Sequence, residues 1–123
     1  MSFDKNFVNL VGGITREPEL RVTGGGTAVL NIGIAVNQGK KQADGTWEDE
    51  AHFFNVVAFG QTAENASETL AKGNRINVTG RLAYRTWEKD GEKRNAVEII
   101  ADSIAVDLSR ATAEITKAVR TDG

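Results

Sequence analysis

Apolar and polar residues alternate with a period of two along much of this chain, the spacing of a strand with one buried face. Residues 27–37 show it most clearly. Ala28, Leu30, Ile32, Ile34 and Val36 fall on one side, and Thr27, Val29, Asn31, Gly33, Ala35 and Asn37 on the other. Gly33 gives this long strand the backbone freedom to coil around a small closed sheet. Residues 51–59 alternate as well, with Phe53, Asn55, Val57 and Phe59 opposite His52, Phe54, Val56 and Ala58. Both faces carry aromatics, so one is the core and the other needs a cover or serves as a binding surface. A first strand is expected over residues 7–14, bent at Gly12-Gly13. After it, Pro18 and the triplet Gly24-Gly25-Gly26 mark a loop with a short extended piece at residues 19–22 and two arginines, Arg16 and Arg21, placed to meet phosphate or water.

The period changes once. Residues 61–72 predict a helix, with Thr62 as N-cap, Ala63, Ala66 and Leu70 as a narrow apolar stripe, and Gly73 suited to the position after the last turn. Residues 75–82 return to a strand with Ile76, Val78 and Leu82 inward, and a last strand is expected over residues 95–106. Between them residues 80–100 read as a long hairpin turning at Asp90-Gly91, where the turn requires positive φ. Arg81, Arg85 and Trp87 share one side of its first strand, and Leu82, Tyr84 and Thr86 take the other. Guanidinium groups pair with phosphate, and an indole offers a plane on which a base stacks. An ordinary half-exposed hairpin with solvated arginines shows the same pattern.

Composition narrows the chemistry. The 123 residues suit one domain. No apolar run reaches membrane-spanning length, and the first residues lack the pattern of a secretory signal, so a cytoplasmic protein is expected. Cysteine is absent and His52 is the single histidine, which excludes disulfides, thiol nucleophiles and multi-histidine zinc sites. His52 reads as structural or surface-lining. A net charge of −2 is unlike a protein that coats nucleic acid through bulk positive charge, so a binder must segregate its charges. Asp44, Glu48, Asp49 and Glu50 gather in a polar stretch, residues 38–50, read as a protruding loop with Asp44-Gly45 at its tip and Lys40, Lys41 and Trp47 along it; Arg81, Arg85, Lys89, Lys93 and Arg94 gather on the hairpin.

Three strands, a helix, then two strands is the order of the OB-fold, a five-stranded Greek-key barrel with its helix between the third and fourth strands. The expected architecture is therefore all-β, with an extended hairpin arm between the fourth and fifth strands, a barrel domain over residues 1–108 and a short, partly mobile extension over residues 109–123. An immunoglobulin-like sandwich would need more strands and no helix there.

The segment AHFFNVVAFGQTAENASETLAKGNRINVTGRLAYRTWEKDGEKR resembles the heart of the bacterial single-stranded DNA-binding protein family, and FVNLVGGITREPELRVTGGGTAVLNIGIAV resembles its opening. The likeness covers residues 7–108, and AENASETL and ATAEITK look most like the actinobacterial branch or phages of such hosts. It implies sequence-independent binding and protection of single-stranded DNA in replication, recombination and repair, a homotetramer, no catalysis and no cofactor. Base stacking carries over to Phe53, Phe59 and Trp87. Many members have a tryptophan where this chain has Lys40, and Trp47, further along, is the candidate to replace it. Phosphate contacts carry over to Arg85, Arg81, Lys72 and Arg75, with Lys40, Lys41 and Lys89 as further candidates. Two basic residues common in the family are Asn55 and Phe7 here, which implies a weaker electrostatic grip and a shallower salt dependence. The resemblance also implies a flexible linker and an acidic tip that recruits replication and repair enzymes; the last residues, AVRTDG, carry no such tip, which leaves that recruitment unsupported.

Two other classes fit parts of the pattern. One is an OB-fold adaptor for protein or RNA, marked by weak affinity for oligothymidylate. The other is a small hydrolase using a carboxylate pair such as Glu48 and Glu50, which no phosphate cradle or metal cluster accompanies.

Overall fold

The structure, a computed structural model, describes residues 4–119. Its elements run β1 (Val8–Ile14), β2 (Glu19–Val22), β3 (Ala28–Lys41), β4 (Trp47–Phe59), α1 (Gly60–Thr69), β5 (Arg75–Lys89) and β6 (Glu92–Val106). The sheet order is β1-β5-β6-β4-β3-β2, and a further pairing of β1 with β3 closes the first five of these into a barrel. All ladders are antiparallel except β4 with β6, where Val56 lies beside Ile99 and Val57 beside Ile100. This is the OB-fold topology that the element order predicts, with β2 added as a short strand along the free edge of β3.

The inward set of each strand fills the barrel. Leu30, Ile32 and Ile34 of β3, Val56 of β4, Ile76 and Val78 of β5 and Ile99 of β6 are fully buried, each contributing about 1.5–3 kcal/mol through apolar burial. Ala63, Ala66 and Leu70 set α1 over one end of this core, as their spacing predicts. The helix ends differ from expectation. It begins at Gly60 rather than Gln61, its N-cap position is Phe59 with no side-chain bond, and it stops at Thr69, with extended Leu70 as C-cap. Thr62 is thus inside the helix and Gly73, at φ +94°, belongs to the next turn, whose Asn74 amide donates to the Ala71 carbonyl.

Two glycines work by close approach. At Gly12 a Cβ would stand 2.5 Å from the Ala35 carbonyl oxygen, where β1 leaves β5 and seals against β3. At Gly80 it would run into the Ile100 carbonyl, beside the register shift between Thr79 and Gly80. Past this point β5 and β6 leave the barrel as a hairpin arm closed by Asp90 (φ 52°) and Gly91 (φ 77°).

The largest departure from the sequence reading lies at residues 38–50. Only residues 42–46 turn, with Asp44-Gly45 at the tip as expected: β3 runs on to Lys41 and β4 starts at Trp47, paired residue by residue, so a second hairpin arm stands beside the first. Its turn is held by the Gln42 amide donating to the Thr46 carbonyl (2.7 Å), and by the Thr46 amide and hydroxyl donating to Asp44 Oδ1 (3.0 and 2.6 Å). The Thr46 hydroxyl and amide hold the Asp44 carboxyl below its ordinary value of 3.8. A carboxyl with a lowered folded value stabilises above the unfolded value and loses that contribution as pH falls through the folded one. The Thr46 amide resonance is therefore expected to move with a titration midpoint below pH 3.8; in Asp44→Ala that titration should vanish.

Beyond β6 the chain has no regular structure through Val119 and passes back across α1, with residues 110–114 lining a cleft against Gly73–Arg75 and residues 114–119 another against Asn65, Glu68 and Thr69. Of the extension over residues 109–123 expected to be partly mobile, residues 120–123 lie outside the described residues. No helix among the described residues is long and apolar enough to cross a membrane.

Candidate nucleic-acid interface

The outward set of β4 reads Trp47, Asp49, Ala51, Phe53, Asn55, Val57 and Phe59, because Val56 and Ala58 point into the core. Ladder partners extend this face sideways. On β3, Val29, Asn31, Gly33 and Ala35 lie opposite Phe59, Val57, Asn55 and Phe53. On the other side Val57 adjoins Ile100 of β6, which pairs with Arg81 of β5. Along β5 the same face continues through Ala83, Arg85, Trp87 and Lys89.

The aromatics on this face are exposed where a packed core would hide them. Phe53 is 71 % and Phe59 47 % accessible, and Trp87 37 %. Trp47, 67 % accessible, falls on the same side of β4, and its ring lies against Gly39, where a Cβ would meet it at 3.4 Å. Phe59, Phe53 and Trp47 are six residues apart in turn, about 20 Å along a strand at ~3.3 Å per residue. Trp47 extends the aromatic row of the barrel out along the arm.

A polar ribbon crosses the same surface. Arg16, from the turn after β1, lays its guanidinium over Gly33 and donates to Asn55 Oδ1 (3.3 Å). Asn55 Nδ2 donates to Glu98 Oε2 (2.9 Å), and Glu98 Oε1 pairs with Arg85 Nε at 3.4 Å. The Arg85 guanidinium in turn sits 4.7 Å above the Trp87 ring. Gly33 therefore has a second use beyond coiling, since a methyl there would meet Arg16.

The remaining predicted residues divide. Arg81, Lys41, Lys72 and Lys89 carry no ion pair among the described residues, while Lys40 pairs with Glu50 (3.6 Å) and Arg75 with Asp107 (2.8 Å). Lys40 lies on the opposite face of its arm from Trp47, beside Glu50, which also faces His52 Nε2 at 3.5 Å. Lys72 is in the turn beyond α1, where its amide donates to Glu17, and Arg75 is at the start of β5; both lie away from the Phe53–Trp87 surface. Sequence reasoning missed Glu98, and it treated Arg16 as a loop residue and Asn55 as a lost cation. The alternation around Val97 and Ile99 puts Glu98 outward, but only the register of β6 against β4 and β5 shows what it touches.

Residues 5–107 match the Single-strand binding protein family. The chain belongs to that family. Relatives within it include the single-stranded DNA-binding protein of Mycobacterium leprae, 41 % identical over 119 residues that make up 94 % of this chain and 71 % of the relative. That of Wolinella succinogenes is 43 % identical over 100 residues, 80 % of this chain and 62 % of the relative. Among solved structures, a deletion mutant of the Thermus aquaticus single-stranded DNA binding protein superposes with a TM-score of 0.77 at 37 % identity, over 86 % of this chain and 52 % of that one. The small single-stranded DNA-binding protein of Streptomyces coelicolor superposes with a TM-score of 0.69 at 33 % identity, over 85 % of this chain and 96 % of that one. Membership of the single-strand binding family agrees with the barrel, its helix and the projecting arms.

Proposed function

We propose that this chain binds single-stranded DNA without sequence preference, stacking bases on Phe53, Phe59, Trp87 and Trp47 while Arg81, Arg85, Lys41 and Lys89 follow the phosphates. The observation that carries the reading is the exposed aromatic row on one side of β4, flanked across β6 by the arginines and indole of β5. Aromatic rings kept in water on a flat sheet face are costly without a partner, and every base has a π-face to offer. The family's relatives are named for this activity. Lys40, Lys72 and Arg75, directed elsewhere, contribute through longer-range attraction or through DNA that continues around the barrel.

The protein works as a passive coat, with no catalytic step, during replication, recombination and repair in the cytoplasm. Residues 1–108 carry the DNA and residues 109–123 form an extension. A homotetramer presents four such faces.

Titration with oligothymidylate is expected to quench tryptophan fluorescence strongly at low salt and less at high salt, with duplex DNA leaving it unchanged. Because Trp87 and Trp47 both face the strand, Trp87→Ala should retain part of the quenching. An emission unchanged by oligothymidylate at micromolar protein and low salt would refute the reading.

A further inference from the structure

We propose that Glu98 is an internal anion that competes with DNA phosphate for Arg85 and so limits how tightly this surface grips a single strand. The inference rests on the single-stranded DNA reading and refines it. Glu98 stands on the outward side of β6, opposite Ala83 of β5, whose short side chain leaves the carboxylate room to reach the next outward residue of that strand, Arg85. The Glu98 side chain is only 19 % accessible, whereas Arg85 is 59 % accessible. The carboxylate is therefore held in the sheet while the guanidinium remains reachable from solvent. Asn55 fixes the other carboxylate oxygen at 2.9 Å, and Asn55 is itself engaged by Arg16.

A carboxylate and a phosphate oxygen ask the same thing of a guanidinium, a planar pair of N–H donors. With Glu98 on its Nε edge and the Trp87 ring beneath it, Arg85 already has both kinds of contact that DNA would offer. A phosphate reaching Arg85 must displace Glu98 or lie beside its negative charge. Either way Arg85 contributes less to the electrostatic grip than an arginine such as Arg81, which carries no ion pair among the described residues. Glu98 also keeps the guanidinium over one face of Trp87, leaving the indole's other face for a base.

The test uses the full chain, oligothymidylate and five proteins, namely parent, Glu98→Gln, Glu98→Ala, Arg85→Ala and the double variant Glu98→Gln with Arg85→Ala, each titrated over a range of salt concentrations. Glutamine keeps an acceptor for Asn55 and removes the charge. Glu98→Gln is expected to bind about fivefold more tightly at low salt, the scale of one partly exposed ion pair released. Its log K against log salt should steepen by about 0.7, one further phosphate on a single strand. In the Arg85→Ala background the same substitution should change neither quantity. Glu98→Ala, which also frees Arg85, serves as second variant with the same expectation, and thermal melts identify any chain that does not fold. Equal or weaker binding by both Glu98 variants would overturn the proposal. So would tightening that persists without Arg85, which is the mark of a general charge effect. If the parent and all variants fail to bind oligothymidylate, the single-stranded DNA reading falls and this one with it; binding by the parent without the Arg85-dependent gain removes the role of Glu98 alone.

Discussion

Replacing Phe53 and Trp87 together by alanine is expected to weaken oligothymidylate binding by about 2–6 kcal/mol, at about 1–3 kcal/mol for each stacked base. This amounts to a loss of roughly thirtyfold at the low end and more than 10⁴-fold at the high end, at 1.4 kcal/mol per tenfold. The two rings stand on different strands, β4 and β5, with β6 between them. Standing on non-adjacent strands, they should have effects close to additive. Both are exposed, at 71 % and 37 %, so truncation opens no cavity and the melting temperature should hardly move. Fluorescence anisotropy of labelled oligonucleotides of several unrelated sequences checks both parts: the losses should be similar for all sequences. A loss confined to one composition would mean that these rings read bases rather than supply planes.

The second large effect is on the fold. Gly80→Ala drives a methyl group into the Ile100 backbone carbonyl, at the point where β5 and β6 change register and the arm leaves the barrel. Neither strand can yield easily, since Ile76, Val78 and Ile99 on either side are fully buried. Overpacking of this kind costs about 3 kcal/mol, which in a domain of this size lowers the melting temperature by on the order of 10 °C. Gly24→Ala, in the loop between β2 and β3, is the control, since a Cβ there meets nothing within 4 Å. Calorimetry should show a clear drop for the first and little change for the second. Equal melting of Gly80→Ala and parent would mean that the register shift absorbs the methyl by sliding.

How far this molecule can be read from its residues follows the physics of each element. The inward set of β3 was legible because a period of two with branched apolar residues on one side has one solution, and the barrel follows from strand order; on β4 apolar residues on both faces left the core side open, and on β5 the count that buries Ile76 and Val78 also put Leu82 inward, where the structure leaves it 43 % accessible on the arm beyond the core. The arm of β5 and β6 was legible for the same reason together with Asp90-Gly91. Residues 38–50 were misread as a loop because Gln38, Gly39, Lys40 and Lys41 have no apolar alternation: they are strand by continued pairing with residues 47–50, beyond the core. Thr62 looks like a cap by composition, yet Gly60, with φ of 65°, turns the chain into the helix two residues earlier. In the site, the aromatics could be placed on faces by counting, since alternation is a local property. The link Arg16–Asn55–Glu98–Arg85 joins four separate stretches of chain, and no local pattern encodes it.

The hairpin of β5 and β6 has one more consequence, for solubility rather than for binding. Past Gly80, β5 has no strand on its outer side among the described residues, only the Asn6 side chain, which bonds the Leu82 amide and carbonyl at 2.8 and 2.7 Å. The far side of β6 is likewise unpaired from Glu92 to Glu98. Two open ladder edges next to exposed Leu82, Tyr84 and Val97 would invite strand addition from another chain. Arg85, Glu88, Lys89, Glu92, Lys93 and Arg94 stand along those edges and oppose it. The arm's charges are thus constrained twice, and a variant that neutralises them all should precipitate before its DNA affinity can be measured.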